Sequence, residues 1–169
     1  MRDPMAMAGG RPQVRTSDTM QDEAEKAADG AFVLLVEDDP DDVVIIRQSL
    51  KASSVPVRLE VASDGAEALD HLNRAAAAGS AAPDLILLDL NLPVMTGTEF
   101  LGKLRQHARL SAVPVCVFTT ADDPVTIRRA YAAGANAVVT KADSLAGMSE
   151  VLHTIVEFWF RVAERYRGE

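Results

Sequence analysis

Five short apolar runs alternate with five segments carrying helix-start punctuation, and this alternation restricts the fold more than any other feature of the chain. The runs are Ala31–Val36, Val57–Val61, Leu85–Leu88, Pro114–Phe118 and Ala137–Thr140. The first, third and fourth are continuously apolar, as suits strands buried on both faces of a parallel sheet. Val57-Arg58-Leu59-Glu60-Val61 alternates instead, as an edge or half-buried strand does. Between the runs, Asp39 followed by Pro40, Asp41 and Asp42 reads as an N-cap, a first-position proline and first-turn acids. Asp64 with Glu67, and Thr96 with Glu99, have capping-box spacing; Asp123-Pro124 opens a fourth helix that Gly134 closes. Val43, Ile46 and Leu50 give the first helix an inward face, and Phe100, Leu101 and Leu104 do the same for the third. Alternation with short connections predicts an α/β fold, a five-stranded doubly wound parallel sheet with helices on both faces. A last, extended C-terminal helix is predicted from near Ser144 to about Arg165.

The length of 169 residues accommodates one domain and a tail. Residues 1–30 lack apolar periodicity and read as a disordered tail, with Asp22–Ala28 compatible with a short helix. The domain is expected over residues 31–166, with too little chain after it for an output domain. A net charge of −8 argues against nucleic acid as a direct partner, because that affinity comes largely from lysine and arginine on phosphates. No apolar stretch has membrane-spanning length and no signal-peptide pattern precedes the first run, so a cytoplasmic protein with no membrane partner is expected. The single cysteine, Cys116, lies inside an apolar run and reads as a buried small hydrophobe. His71, His107 and His153 lie on separate helices without ligand spacing.

Chemistry-bearing residues follow the apolar runs. Glu37-Asp38 follow the first, Asp89 the third, Thr119 the fourth and Lys141 the fifth. Open α/β sheets bind ligands outside the carboxyl ends of their strands, and an order of 2-1-3-4-5 makes strands one and three neighbours at the switch point. Glu37, Asp38 and Asp89 would then converge. Three carboxylates so placed repel one another, and a divalent cation resolves the repulsion. Oxygen donors without histidine or cysteine favour Mg²⁺ or Ca²⁺ over zinc, and a small site completed by water and phosphate favours Mg²⁺. A lysine and a hydroxyl beside the cation suit phosphoryl oxygens, which makes Asp89 a candidate nucleophile forming an acyl phosphate.

The pieces Leu35-Val36-Glu37-Asp38-Asp39-Pro40, Asp64-Gly65-Ala66-Glu67-Ala68-Leu69, Asp84–Pro93 with Gly97, Val117-Phe118-Thr119, Gly134-Ala135 and Lys141 together resemble the receiver domain of two-component response regulators. The resemblance covers residues 32–155 or so. It implies the flavodoxin-like receiver fold of strand order 2-1-3-4-5, Asp89 as phosphoacceptor, and Mg²⁺ held by Glu37, Asp38, Asp89 and the backbone carbonyl of Asn91. It also implies Thr119 as switch hydroxyl, Lys141 as the phosphate-pairing lysine, and a sensor histidine kinase as phosphodonor. The only catalysis implied is autophosphorylation and autodephosphorylation. Two positions depart from the family pattern. Ala142 follows Lys141 where a proline is usual, and Val138 stands where most receivers carry Tyr or Phe. Valine has no ring to rotate, so threonine–aromatic coupling is not expected.

On the last helix Met148, Val151, Leu152, Ile155, Phe158, Trp159 and Val162 form a core stripe at helical spacing, with Val156, Phe160, Ala163 and Tyr166 extending apolar surface around the cylinder. A second apolar face suggests homodimerisation, with Phe158, Trp159, Phe160 and Tyr166 at the dimer surface. The Phe158-Trp159 pair, with the Asp-Leu-Asn-Leu-Pro and Phe-Thr-Thr segments, also resembles single-domain regulators that pair with bacterial and cyanobacterial phytochromes. Two other readings compete with a phosphorelay role: a phosphorylation-independent interaction module, and a phosphohydrolase with an aspartate nucleophile. The second normally places another acid two residues after the nucleophile, where this chain has Asn91.

Overall fold

The structure, a computed structural model, describes residues 30–164. Strands β1 (Ala31–Val36), β2 (Val57–Ala62), β3 (Leu85–Leu88), β4 (Val115–Thr119) and β5 (Ala137–Thr140) alternate with helices α1 (Pro40–Lys51), α2 (Gly65–Ala77), α3 (Gly97–Gln106), α4 (Pro124–Ala133) and α5 (Leu145–Glu157). All pairings are parallel and the strand order is β2-β1-β3-β4-β5, as predicted. All of the expected tail but Gly30, including its Asp22–Ala28 segment, lies outside the described residues, as does Tyr166.

Alternate strand residues feed two separate cores, as the period of two requires. Leu34, Val36, Ile86, Leu88, Val115 and Val117 meet Ala68, Leu72, Phe100, Leu101, Leu104 and Ala130 from α2, α3 and α4. Val33, Leu35, Leu85, Leu87, Cys116 and Phe118 meet Ile46, Leu50, Met148, Leu152 and Ile155 from α1 and α5. Fully burying an aliphatic or Phe side chain contributes about 1.5–3 kcal/mol, so the central strands are the most firmly held elements. The flanks differ. β2 is partly exposed, and β5 is half-buried with Thr140 exposed.

The helix starts follow the sequence closely. Asp39 accepts from the Asp41 amide, Thr96 and Glu99 form a reciprocal capping box, Asp123 accepts from the Thr126 amide, and Ser144 caps α5. Gly134 closes α4 in the left-handed region at φ 108°. At the start of α2 the chain differs from the predicted box. Asp64 accepts from the Ala66 and Glu67 amides, but Glu67 reaches one residue further back, to the amide and hydroxyl of Ser63 at 2.7 Å each. The serine hydroxyl adds a second donor there, which the Asp64 backbone cannot match.

The C-terminal helix holds the largest correction. After Glu157 the chain winds into a π turn, Phe158–Val162, and the Ala163 amide donates to the Phe158 carbonyl at 2.8 Å. Ala163 has extended backbone, so the described C-terminal helix is the long one expected, running from Leu145 to Val162 with its last turn in π form. A π turn advances less per residue than the roughly 100° of an α-helix, so by its end the apolar face has rotated by roughly a quarter circle and Val162 is carried outward, while Phe158, at its start, already lies off the face that Leu152, Ile155 and Val156 bury. Phe158 and Val162, expected in the core stripe, are 50% and 71% exposed. Val156, expected outside it, is fully buried, and Trp159 and Phe160 are half-buried against the α1/α5 core. Ser54 pins this turn through Glu157 and Arg161, which are themselves paired at 3.2 Å.

Candidate functional site

Register brings the strand ends to one level. Val36 pairs with Leu88 and Leu88 with Val117, so Glu37 and Asp89 leave adjacent strands together. The Asp89 amide donates to the Val36 carbonyl at 3.0 Å, and the Lys141 amide to the Thr119 carbonyl at 2.8 Å. Beyond Asp89 the chain must pass close beneath α3. A Cβ at Gly97 would lie 2.4 Å from the Asp89 carbonyl oxygen and 2.8 Å from Leu90 Cα, so only glycine allows this approach.

Four polar side chains are buried at this rim: Glu37, Asp89, Thr119 and Lys141. The Asp89 carboxylate accepts from Thr119 Oγ1 at 3.0 Å and the Asn91 amide at 3.1 Å through Oδ1, and from Lys141 Nζ at 2.9 Å through Oδ2. Glu37 Oε1 accepts from the Asp39 amide at 3.1 Å, and Oε2 from Lys141 Nζ at 2.7 Å. The third Lys141 contact is Asp42 Oδ2 at 2.7 Å. Sequence reasoning had Asp42 only as a first-turn acid of α1, and nothing in its spacing links it to a residue 99 positions away.

The charges are arranged by burial and by one shared lysine. Burial pushes the Asp89 carboxyl up, but the lysine, the Asn91 amide and the Thr119 hydroxyl outweigh it and hold Asp89 below the ordinary aspartate value. Burial wins at Glu37, which is raised despite Lys141 and the Asp39 amide. Burial alone would lower Lys141, yet Asp42, Glu37 and Asp89 hold it above the ordinary lysine value, so it is charged throughout the accessible pH range. Asp89 is therefore ionised and hydrogen-bonded on both oxygens, the state a nucleophilic carboxylate needs.

Asp38 stands exposed beside the buried pair, and one carboxylate oxygen from each of Glu37, Asp38 and Asp89 lies within 4.8 Å of the others. These are hard oxygen donors with three formal charges, which fits a small divalent cation. Every buried side-chain nitrogen and oxygen among the described residues has a hydrogen-bond partner. A cation entering the trio would share the Glu37 and Asp89 carboxylates with Lys141.

The two departures from the family pattern are accommodated. The Lys141–Ala142 peptide is trans, like every described peptide bond, and Lys141 still reaches Asp89. Val138 donates its amide to the Tyr131 hydroxyl at 3.2 Å, so an aromatic residue from α4 covers the backbone at that position. None of the three histidines joins the site: His71 pairs with Glu60 at 2.7 Å, His107 caps α3, and His153 faces Glu157 at 4.0 Å. The aromatic rings of the predicted dimer surface lie elsewhere, Phe158 and Trp159 meeting edge to face with centroids 5.3 Å apart.

An acidic trio, a hydroxyl and a lysine thus share the carboxyl rim of a doubly wound parallel sheet, the architecture of a signalling receiver. The model of the response regulator receiver domain matches residues 33–153, and the chain belongs to that family. Its relatives include response regulator Rcp1 of Synechocystis, 34% identical over 128 residues that span 75% of this chain and 87% of Rcp1. The Mn²⁺-bound structure of Rcp1 superposes with a TM-score of 0.73 and 31% identity, covering 80% of this chain and 99% of the other. The phosphorylated cyanobacterial phytochrome response regulator RcpA gives 0.75 and 34%, covering 80% and 97%. RPA3017, a regulator in red light signalling of R. palustris, gives 0.74 and 29%, covering 82% and 99%. No helix among the described residues is long and apolar enough to cross a membrane.

Proposed function

We propose that this chain is a single-domain response regulator that accepts a phosphoryl group on Asp89 from the phosphohistidine of a sensor histidine kinase. The observation carrying this reading is the Asp89 carboxylate itself, buried at the sheet rim yet ionised between Lys141 and Thr119. An Asp89 oxygen forms the new P–O bond while the P–N bond to the imidazole breaks, and the imidazole leaves with the electron pair and takes a proton from water. Lys141 pairs with a phosphoryl oxygen and Thr119 donates its hydroxyl to another. Glu37, Asp38, Asp89 and the Asn91 carbonyl would hold Mg²⁺, whose role is to neutralise phosphoryl charge as it develops. The relatives' association with phytochrome and red light supports a bacteriophytochrome kinase as partner. Exposed Phe158 and Val162, beside half-buried Trp159 and Phe160, support a homodimer contact at the π turn.

Acetyl phosphate with Mg²⁺ tests the central claim. Intact-mass spectrometry should find one phosphoryl adduct on the wild type, none on Asp89→Asn, and none when EDTA removes the metal. An equal adduct on Asp89→Asn would reject Asp89 as acceptor. Light scattering with and without beryllofluoride reads the oligomeric state in the same samples.

A further inference from the structure

An ammonium has three N–H donors, and in Lys141 three carboxylates take them: Glu37 and Asp42 at 2.7 Å each and Asp89 at 2.9 Å. Glu37 and Asp89 belong to the acidic trio; Asp42 does not. Its place in the first turn of α1 favours a negative charge there, but the helix terminus alone gives no reason for contact with the end of β5. Each trio member that touches the lysine also has a second duty. Glu37 Oε1 binds the Asp39 amide, and Asp89 Oδ1 binds Thr119 and the Asn91 amide. A cation drawing on Glu37 and Asp89 therefore shares with Lys141 two carboxylates that are already engaged. The Asp42 side chain, 26% exposed, is not one of them.

We propose that Asp42 is a positioning residue for Lys141, keeping the ammonium against Asp89 when Glu37 and Asp89 turn toward a divalent cation. The proposal rests on the phosphoacceptor reading of Asp89. Physically, Lys141 ends a flexible four-carbon stem, and a point charge on such a stem needs a fixed counter-charge to stay over one spot. Glu37 and Asp89 provide that in the resting site and lose part of it as the metal binds. Asp42 is attached to a different element, α1, so its hold does not depend on how the strand-end carboxylates rotate. Its effect on phosphoryl transfer and on cation affinity must then pass through the lysine. With Asp42 neutralised, Lys141 leans harder on Glu37 and Asp89 and competes more strongly with the cation.

A double-mutant cycle tests this, using Asp42→Asn and Asp42→Ala, each alone and combined with Lys141→Ala. Two quantities are read: the rate of acetyl-phosphate modification by intact mass, and Mg²⁺ affinity by calorimetry without any phosphodonor. With Lys141 present, Asp42→Asn should slow modification about five- to tenfold and weaken Mg²⁺ binding a few-fold, the effect of one partly exposed charged hydrogen bond. In the Lys141→Ala background both changes should shrink to less than about twofold. Equal losses in both backgrounds would show that Asp42 acts only through its long-range field, and no loss in either would show that it does not act; each overturns the proposal. Urea midpoints of all variants separate these outcomes from unfolding. If the wild type itself takes no phosphoryl on Asp89, the functional reading fails, while the calorimetric arm still decides whether Asp42 works through Lys141.

Discussion

Replacing Lys141 with methionine removes the ammonium facing three carboxylates while keeping most of the apolar stem. Its side chain is 4% exposed, against 1% for Glu37, 8% for Asp89 and 26% for Asp42, so two of the three partners cannot turn to water. Breaking a buried ion pair from one side costs about 3–5 kcal/mol. Asp42 can rehydrate and Glu37, already raised, can take up a proton, so about 2–3 kcal/mol is expected near neutral-to-alkaline pH in metal-free buffer. That corresponds to a fall of about 1–2 M in the urea midpoint. The pH dependence has a definite sign. Burial is the largest influence on both Glu37 and Asp89, and Lys141 supplies the largest opposing one. Without the lysine Glu37, already raised, rises further, and Asp89 loses its largest lowering influence. The Glu37 penalty is absent below its unfolded value and grows as pH rises through the folded one. In the wild type the lowered Asp89 does the reverse, contributing stability above its unfolded value that fades as pH falls through the folded one. The gap between the two proteins should therefore narrow on acidification. Excess Mg²⁺ should also stabilise the variant more than the wild type, because the metal no longer competes with an ammonium. Urea titrations followed by circular dichroism, at about pH 8 and about pH 5 with and without Mg²⁺, read all of this. An unchanged midpoint at the higher pH, or a gap that widens in acid, would refute the charge assignment.

The Cys116 thiol is fully buried and pushed up to about 12, so a disulfide reagent should label it only at the rate of unfolding; prompt labelling of the folded protein would contradict its place in the α1/α5 core. Thr96→Ala should remove the reciprocal capping box of α3 and cost about 1 kcal/mol, with Thr96→Ser restoring most of it, as read from thermal melts.

The strands and most helix starts were legible because their causes are local. Apolar runs, proline at the first helical position and short oxygen-bearing caps act within a few residues. The site was legible in outline for a topological reason: a parallel doubly wound sheet sends every strand's carboxyl end to one rim, so Glu37, Asp38, Asp89, Thr119 and Lys141 could be grouped before any distance was known. What escaped depends on matters that spacing does not encode. Asp42 looked like a helix-start acid because its partner arrives from β5 through the fold. Val162 was assigned inward because a uniform α-helical period was assumed across a π turn, and Phe158 because the expected stripe was drawn wider than the face that Leu152, Ile155 and Val156 bury. Glu67 missed its predicted cap because a neighbouring serine hydroxyl offered one more donor.

The lysine of the site follows β5, an edge strand of three half-buried residues and an exposed Thr140, whereas Glu37 and Asp89 follow the central strands β1 and β3. Local opening begins where few apolar groups are buried, so the edge can loosen while the centre stays shut. A transient detachment of β5 would carry the positive charge away and leave the carboxylates in place, fully formed and momentarily unopposed. The affinity of this rim for a cation is in that sense set by how firmly its outermost strand is zipped to β4, and amide exchange along Ala137–Thr140 is where that grip becomes measurable.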